Sequence, residues 1–161
     1  LNARALLQGG SKSRPAMVII PAERKSTMPT LTNTELISQA LTYLYPRTLD
    51  HDNSAGGVAC ALLSASGKLY FGVCMDISSG IGFCAEHSAI AAMITAGETR
   101  IAKIVAIAGG GVVLPPCGRC REFMYQIDGA NLAETDVIMS PTTTLKLKDL
   151  LPHPYDEVWS V

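Results

Sequence analysis

Two short stretches constrain this chain more than anything else in it: Phe83-Cys84-Ala85-Glu86-His87 and Pro115-Pro116-Cys117-Gly118-Arg119-Cys120. Between them they hold three thiols and one carboxylate. Cys117 and Cys120 stand at i and i+3 at the start of an apparent helix, Arg121 to Ile127, so both sulfurs point to one side of its first turn. The two prolines favour a helix start just after them. Cys84 opens a second helical pattern, Ala85 to Ala96, in which Ile90, Met93 and Ile94 recur at helical spacing and Gly97 offers a stop. Three thiols thus stand at two helix N-termini, where roughly half a positive charge favours the thiolate that binds metal.

Zinc is tetrahedral, and a site with three protein ligands leaves its fourth position to water. Neither stretch offers an obvious fourth Cys or His. The pattern therefore predicts an open, catalytic zinc site on Cys84, Cys117 and Cys120, one ion per subunit. Glu86, two residues from a ligand, is close enough to carry protons to and from water there. A redox reading of Pro-Cys-Gly-Arg-Cys leaves Cys84 and Glu86 without a role. A structural zinc module lacks its fourth ligand. Cys60 and Cys74 read as small apolar strand residues with free thiols.

Size and charge narrow the partners. A chain of 161 residues, 48% apolar and 17% charged, buries roughly 70% of its unfolded surface as one domain. No apolar run approaches the ~18 residues of a membrane span. With 13 Lys plus Arg against 14 Asp plus Glu, nothing favours a nucleic-acid backbone, and a small neutral substrate fits better. Five cysteines without a disulfide scaffold imply a reducing, cytoplasmic compartment.

Residues 1–30 carry Gly9-Gly10-Ser11, three prolines and no sustained period, and read as a flexible arm or an added extension, with no signal-peptide core. The domain is expected over 31–161. Thr32-Asn33-Thr34-Glu35 has the form of a capping box, followed by Leu36, Ala40, Leu41 and Leu44 on one helical face until Pro46. Asp50 to Gly57 reads as a loop, and Val58 to Leu63 and Lys68 to Cys74 as a hairpin through Ser66-Gly67. Met75 to Gly82 is a glycine-bearing approach to Cys84 and a rim for a pocket. Ile101 to Ala108 is a strand covered on both faces, and Val137 to Met139 another buried strand. Leu145 to Leu151 mixes strand alternation with a helical ending. The order helix, hairpin, helix, strand, helix, strand indicates an α/β fold with a mixed sheet.

Cys-Ala-Glu followed by Pro-Cys-x-x-Cys resembles the signature of the zinc-dependent cytidine deaminase family in its three-cysteine form, whose shared chemistry is hydrolytic removal of an amino group. Gly57 to Leu62, Ile104 to Ile107, Pro116 to Arg121, Leu150-Leu151-Pro152 and Val158-Trp159 are similar to the blasticidin-S deaminase branch. The resemblance spans residues 32–161. It implies a three-layer α/β/α sandwich with a five-stranded mixed sheet, a homotetramer whose sites take residues from neighbouring subunits, and conversion of a cytosine nucleoside to the uracil nucleoside with release of ammonia. A modified cytosine nucleoside such as blasticidin S is the alternative substrate. It implies, further, that Glu86 shuttles protons to ring N3 and the departing amine, that the Ala85 N–H donates to the pyrimidine O2, and that the carbonyl near Pro115 accepts from the exocyclic amine. Tyr155 and Trp159 would close the pocket by stacking. The family's sugar-binding Asn-x-Glu is replaced by Cys74-Met75-Asp76, which leaves Asp76 to meet a hydroxyl in an altered pocket. Three thiolates on a dication leave a net charge of about -1, so a donor to sulfur is expected. Relatives often carry Arg after the glutamate; here His87 takes that place and is expected to donate to a ligand sulfur.

Overall fold

The computed structural model describes residues 31–156; the expectations for 1–30 and for Trp159 fall outside them. The helices are α1 (Asn33–Leu41), α2 (Ala85–Thr95), α3 (Gly118–Ile127), α4 (Asn131–Glu134) and α5 (Leu147–Leu150). The strands are β1 (Arg47–Thr48), β2 (Ser54–Ser64), β3 (Leu69–Asp76), β4 (Ile101–Ala108), β5 (Val112–Leu114), β6 (Asp136–Ser140) and β7 (Thr143–Lys146). Five strands of four residues or more form the frame in the order β3-β2-β4-β6-β7, and the short β1 and β5 extend β2 and β4. Only β4 and β6 run parallel, so the sheet is mixed, as expected.

Side chains alternate between two apolar layers, as the period of two in a strand requires. On β2, Cys60 and Leu62 face one layer and Ala61 and Leu63 the other. The first layer is closed by α2, α3, α4 and α5 through Ala85, Ile90, Met124, Leu132 and Leu147; the second is closed by α1 through Leu36, Ile37 and Ala40. This is a three-layer sandwich. Among the described residues no helix is long and apolar enough to cross a membrane.

The capping box forms as read: the Thr32 hydroxyl accepts from the Glu35 N–H at 3.2 Å and the Glu35 carboxylate accepts from the Thr32 N–H at 2.7 Å. The β2–β3 hairpin also forms, with Leu63 opposite Leu69. Two helical positions differ from the reading. Leu41 and Ile94, expected on buried faces, are 41% and 42% exposed. At roughly 100° per residue, Leu41 falls beyond the arc spanned by Leu36, Ala40 and Ile37, and Ile94 falls beyond that of Ala85, Ala89, Ile90 and Met93. The second half of the expected Asp50 to Gly57 loop is instead the start of β2, because Ser54 and Ala55 pair with both β1 and β3. A register shift between Ala55 and Ala59 then bends β2. Gly57 and Val58, within that shifted stretch, line a large cleft.

Candidate active site

Two helix starts and one strand end converge on this cleft. Cys84 is the N-cap of α2 and Cys117 the N-cap of α3, both with extended backbone. Cys120, one turn into α3, is fully buried, whereas Cys117 is exposed. The entry to α2 is fixed by a two-residue bridge, in which the Met75 N–H donates to the Phe83 carbonyl at 2.9 Å and the Phe83 N–H donates back at 3.0 Å. Gly82 permits that bridge, because a Cβ there would stand 2.2 Å from the Met75 carbonyl oxygen. Gly72 permits α2 to lie directly on β3, because a Cβ there would stand 2.3 Å from the Ala89 nitrogen.

The three thiols meet. Cys84 Sγ lies 3.7 Å from Cys117 Sγ, and Cys117 Sγ lies 3.4 Å from Cys120 Sγ. His87 joins them, with Nδ1 3.5 Å from Cys120 Sγ, and its ring is stacked on Phe123 at 4.7 Å and 9°. Cys84, His87 and Cys120 each present a ligand atom within 4.8 Å of the others, so a fourth donor exists where the reading of the sequence found none. Its signal was available: Cys84-Ala-Glu-His87 has the same i, i+3 spacing as Cys117-Gly-Arg-Cys120. Thiolate sulfurs about 2.3 Å from a zinc ion are about 3.8 Å apart at the corners of a tetrahedron, so the cluster fits the ion its chemistry suggests.

The cleft, about 740 Å³, is lined by Cys84, Ala85, Glu86, Pro115 and Cys117 together with Cys74, Asp76, Asp52 and Asn53. The residues singled out in the sequence for metal, base and sugar therefore share one cavity, except for Cys120 and His87, which are absent from the lining, and the C-terminal aromatics. Tyr155 is 74% exposed, its N–H donates to the Glu122 carboxylate at 3.1 Å, and it does not line the cleft. Asn53 was missed. Its Oδ1 accepts from the Ser78 N–H at 2.8 Å and so ties the turn before β2 to the loop leading to Cys84. An asparagine in a polar loop carries no sequence signal for that task. Cys74, read as a small strand residue, is buried and faces the cleft, where its sulfur accepts from the Val58 N–H at 3.2 Å.

Burial sets the electrostatics. Glu86 is only 5% exposed, and burial raises its carboxyl pKa above the ordinary value. Burial likewise raises the Cys84 and Cys120 thiols. It opposes ionisation of Cys117 too, but hydrogen bonds from the backbone of Cys120 and Arg119 and from the neighbouring thiols outweigh it, and that pKa falls. Burial and the nearby Arg119 lower His87.

Residues 33–133 match the family model described as the cytidine and deoxycytidylate deaminase zinc-binding region. The cytidine deaminase of Mycobacterium tuberculosis is 32% identical over 99 residues, which are 61% of this chain and 71% of that protein. The crystal structure of cytidine deaminase from Mycobacterium tuberculosis superposes with a TM-score of 0.65 at 26% identity, covering 78% of this chain and 98% of its own. That of Mycobacterium leprae gives 0.58 at 28% identity, covering 76% and 95%.

Proposed function

The chain belongs to the cytidine and deoxycytidylate deaminase family, and from that premise we propose that it converts a free cytosine nucleoside to the uracil nucleoside with release of ammonia, using one zinc ion per subunit held by Cys84, Cys117 and Cys120. The observation that carries this reading is the meeting of three sulfurs from two helix starts, 3.4 and 3.7 Å apart, at the wall of a cleft that also holds a buried glutamate. When bound, zinc activates water for hydrolysis at neutral pH.

The chain's own residues do the rest. Glu86 accepts a proton from the attacking water and delivers protons to ring N3 and then to the leaving amine. Burial, by raising its pKa, suits a group that must both take and give. The Ala85 N–H, unused by the helix at its first turn, donates to the pyrimidine O2, and the Pro115 carbonyl accepts from the exocyclic amine. His87 donates from Nδ1 to the Cys120 sulfur and draws charge from the thiolates. Asp76, beside Cys74 in the same cleft, accepts from a sugar hydroxyl. Three carboxylates in the cleft, Asp52, Asp76 and Glu86, against one guanidinium, Arg119, favour a neutral nucleoside over a phosphorylated one.

Asp52 and Asp76 in the cleft, which would suit a cationic substituent, also support a second reading, a modified cytosine nucleoside such as blasticidin S. The catalytic unit is residues 31–161, which works in the cytoplasm as a homotetramer. Purified chain assayed for zinc and for ammonia release from cytidine, deoxycytidine, deoxycytidylate and blasticidin S tests this. One zinc per chain with turnover of a nucleoside and none of the nucleotide is expected. A zinc-free protein, or one inert towards every cytosine compound, overturns it.

A further inference from the structure

We propose that His87 is an exchangeable zinc ligand: Cys84 and Cys120 are the constant pair, and either Cys117 or His87 supplies the third donor. The proposal rests on the zinc reading above and adds to it a second donor set. Each helix presents a pair at i and i+3 on one side of its first turn, Cys84 with His87 and Cys117 with Cys120. Cys117 stands against Cys84 and Cys120 at 3.7 and 3.4 Å, and His87 is grouped with the same two residues within 4.8 Å, its Nδ1 3.5 Å from Cys120 Sγ. An imidazole nitrogen and a thiolate sulfur on one tetrahedral zinc are about 3.6 Å apart, so His87 already stands at ligand spacing from Cys120. Face-to-face stacking on Phe123 holds the ring there, which removes most of the cost of ordering it.

The two third donors differ in where they stand. Cys117 is exposed and lines the cleft; His87 does not line it, and neither does the fully buried Cys120. Zinc held through Cys117 is therefore coordinated by a sulfur of the cleft wall that also carries Glu86. The donor set Cys84, His87, Cys120 keeps the metal without that sulfur. Retention of zinc and turnover are in consequence separable. Loss of Cys117, the most exposed of the three thiols, silences the site without emptying it, and the two helix starts stay joined.

The test compares wild type, H87A, C117A and the double variant C117A/H87A, with zinc content after dialysis against a chelator series and X-ray absorption at the zinc edge. Wild type is expected to show three sulfurs. C117A is expected to retain one zinc per chain, bound roughly 10- to 100-fold more weakly, with two sulfurs and the outer-shell scattering of an imidazole, and to have no turnover. The double variant is expected to lose roughly a further 100-fold in affinity. The proposal is overturned if C117A shows no imidazole, if it fails to load zinc or to fold, or if the double variant holds zinc as well as C117A does. Wild type without zinc overturns the enzymatic reading itself; wild type with a three-sulfur zinc and a C117A site free of imidazole overturns only the exchange.

Discussion

Gly72 is the position at which fold and chemistry are tied most tightly. It lies in β3 beneath α2, and an added Cβ would meet the Ala89 nitrogen at 2.3 Å, the Ala85 carbonyl oxygen at 2.5 Å and the Ser88 Cβ at 2.6 Å. Ordinary contact begins at about 3.5 Å, so G72A must lift α2 by about 1 Å. The helix has no slack, since Ala85, Ala89, Ile90 and Met93 are all fully buried against the sheet. Overpacking of this kind costs about 1–3 kcal/mol. In a domain of this length that lowers Tm by about 4–8 °C for the middle of the range. The helix also carries Cys84, Glu86 and His87, while Cys117 and Cys120 ride on α3, so the same shift opens the cluster. A misplacement of about 1 Å in a catalytic group costs on the order of 10²-fold in rate. Steady-state deamination followed by ultraviolet absorbance, together with scanning calorimetry, should show both losses in G72A. Neither should appear in G109A, where a Cβ meets nothing within 4 Å. A G72A protein with wild-type kcat and Tm would refute the coupling of β3 packing to the site.

Other perturbations separate chemistry from scaffold. E86Q should reduce kcat by about 10²- to 10⁴-fold and leave zinc content unchanged. Because burial disfavours the charged form of Glu86, its removal should not lower Tm at pH 7, and a fall of several degrees would contradict that. Asn131, 1% exposed, accepts from the Ile101 N–H at 2.8 Å and donates to the Thr99 and Met124 carbonyls at 3.0 and 2.9 Å. N131A leaves these buried groups unpaired and should cost about 3 kcal/mol by denaturant titration, against which a loss below about 1 kcal/mol would count. Glu98 is held down to about 2, first by the Ser64 hydroxyl and then by Lys68, Ser66 and Tyr70. Its folded pKa lies below its ordinary 4.5, so its contribution is present above that value and lost as pH falls towards 2. The stability gap between wild type and E98Q, about 1 kcal/mol for a carboxylate whose cationic partner Lys68 is exposed, should be open at pH 7 and closed near pH 2. A gap independent of pH would exclude the charge as its cause.

Much of the scaffold was legible in local pattern. The Thr32 box, the two prolines before Cys117, the apolar run at 101–108 and the turn at Ser66-Gly67 each carry their own signal, because capping, φ restriction and strand period act over a few residues. The order of these elements gave the mixed sheet; the five-strand frame and the three layers came from the family resemblance. What escaped notice was short or paired from a distance: β1 and β5 exist because β2 and β4 offer them an edge, and α4 is too brief to show a period. Leu41 and Ile94 were misplaced because a period locates a face only to within one residue, and the buried arc is set by the partner.

The chemistry divides in the same way. That Cys84, Cys117 and Cys120 sit at helix starts, with a glutamate two residues after the first, is written in the order of the residues; their charge is not, because burial raises Cys84 and Cys120 against the pull of the helix N-termini. That His87 stands among the sulfurs, that Cys74 turns its thiol into the cleft, that Asn53 clasps the loop before Cys84, and that Tyr155 stays outside were decided only by packing. A ligand's type is a property of its side chain, but its place among the others depends on how closely α2 and α3 approach across the sheet. No local interaction contains that distance; the absence of a side chain at Gly72 is what lets α2 close it.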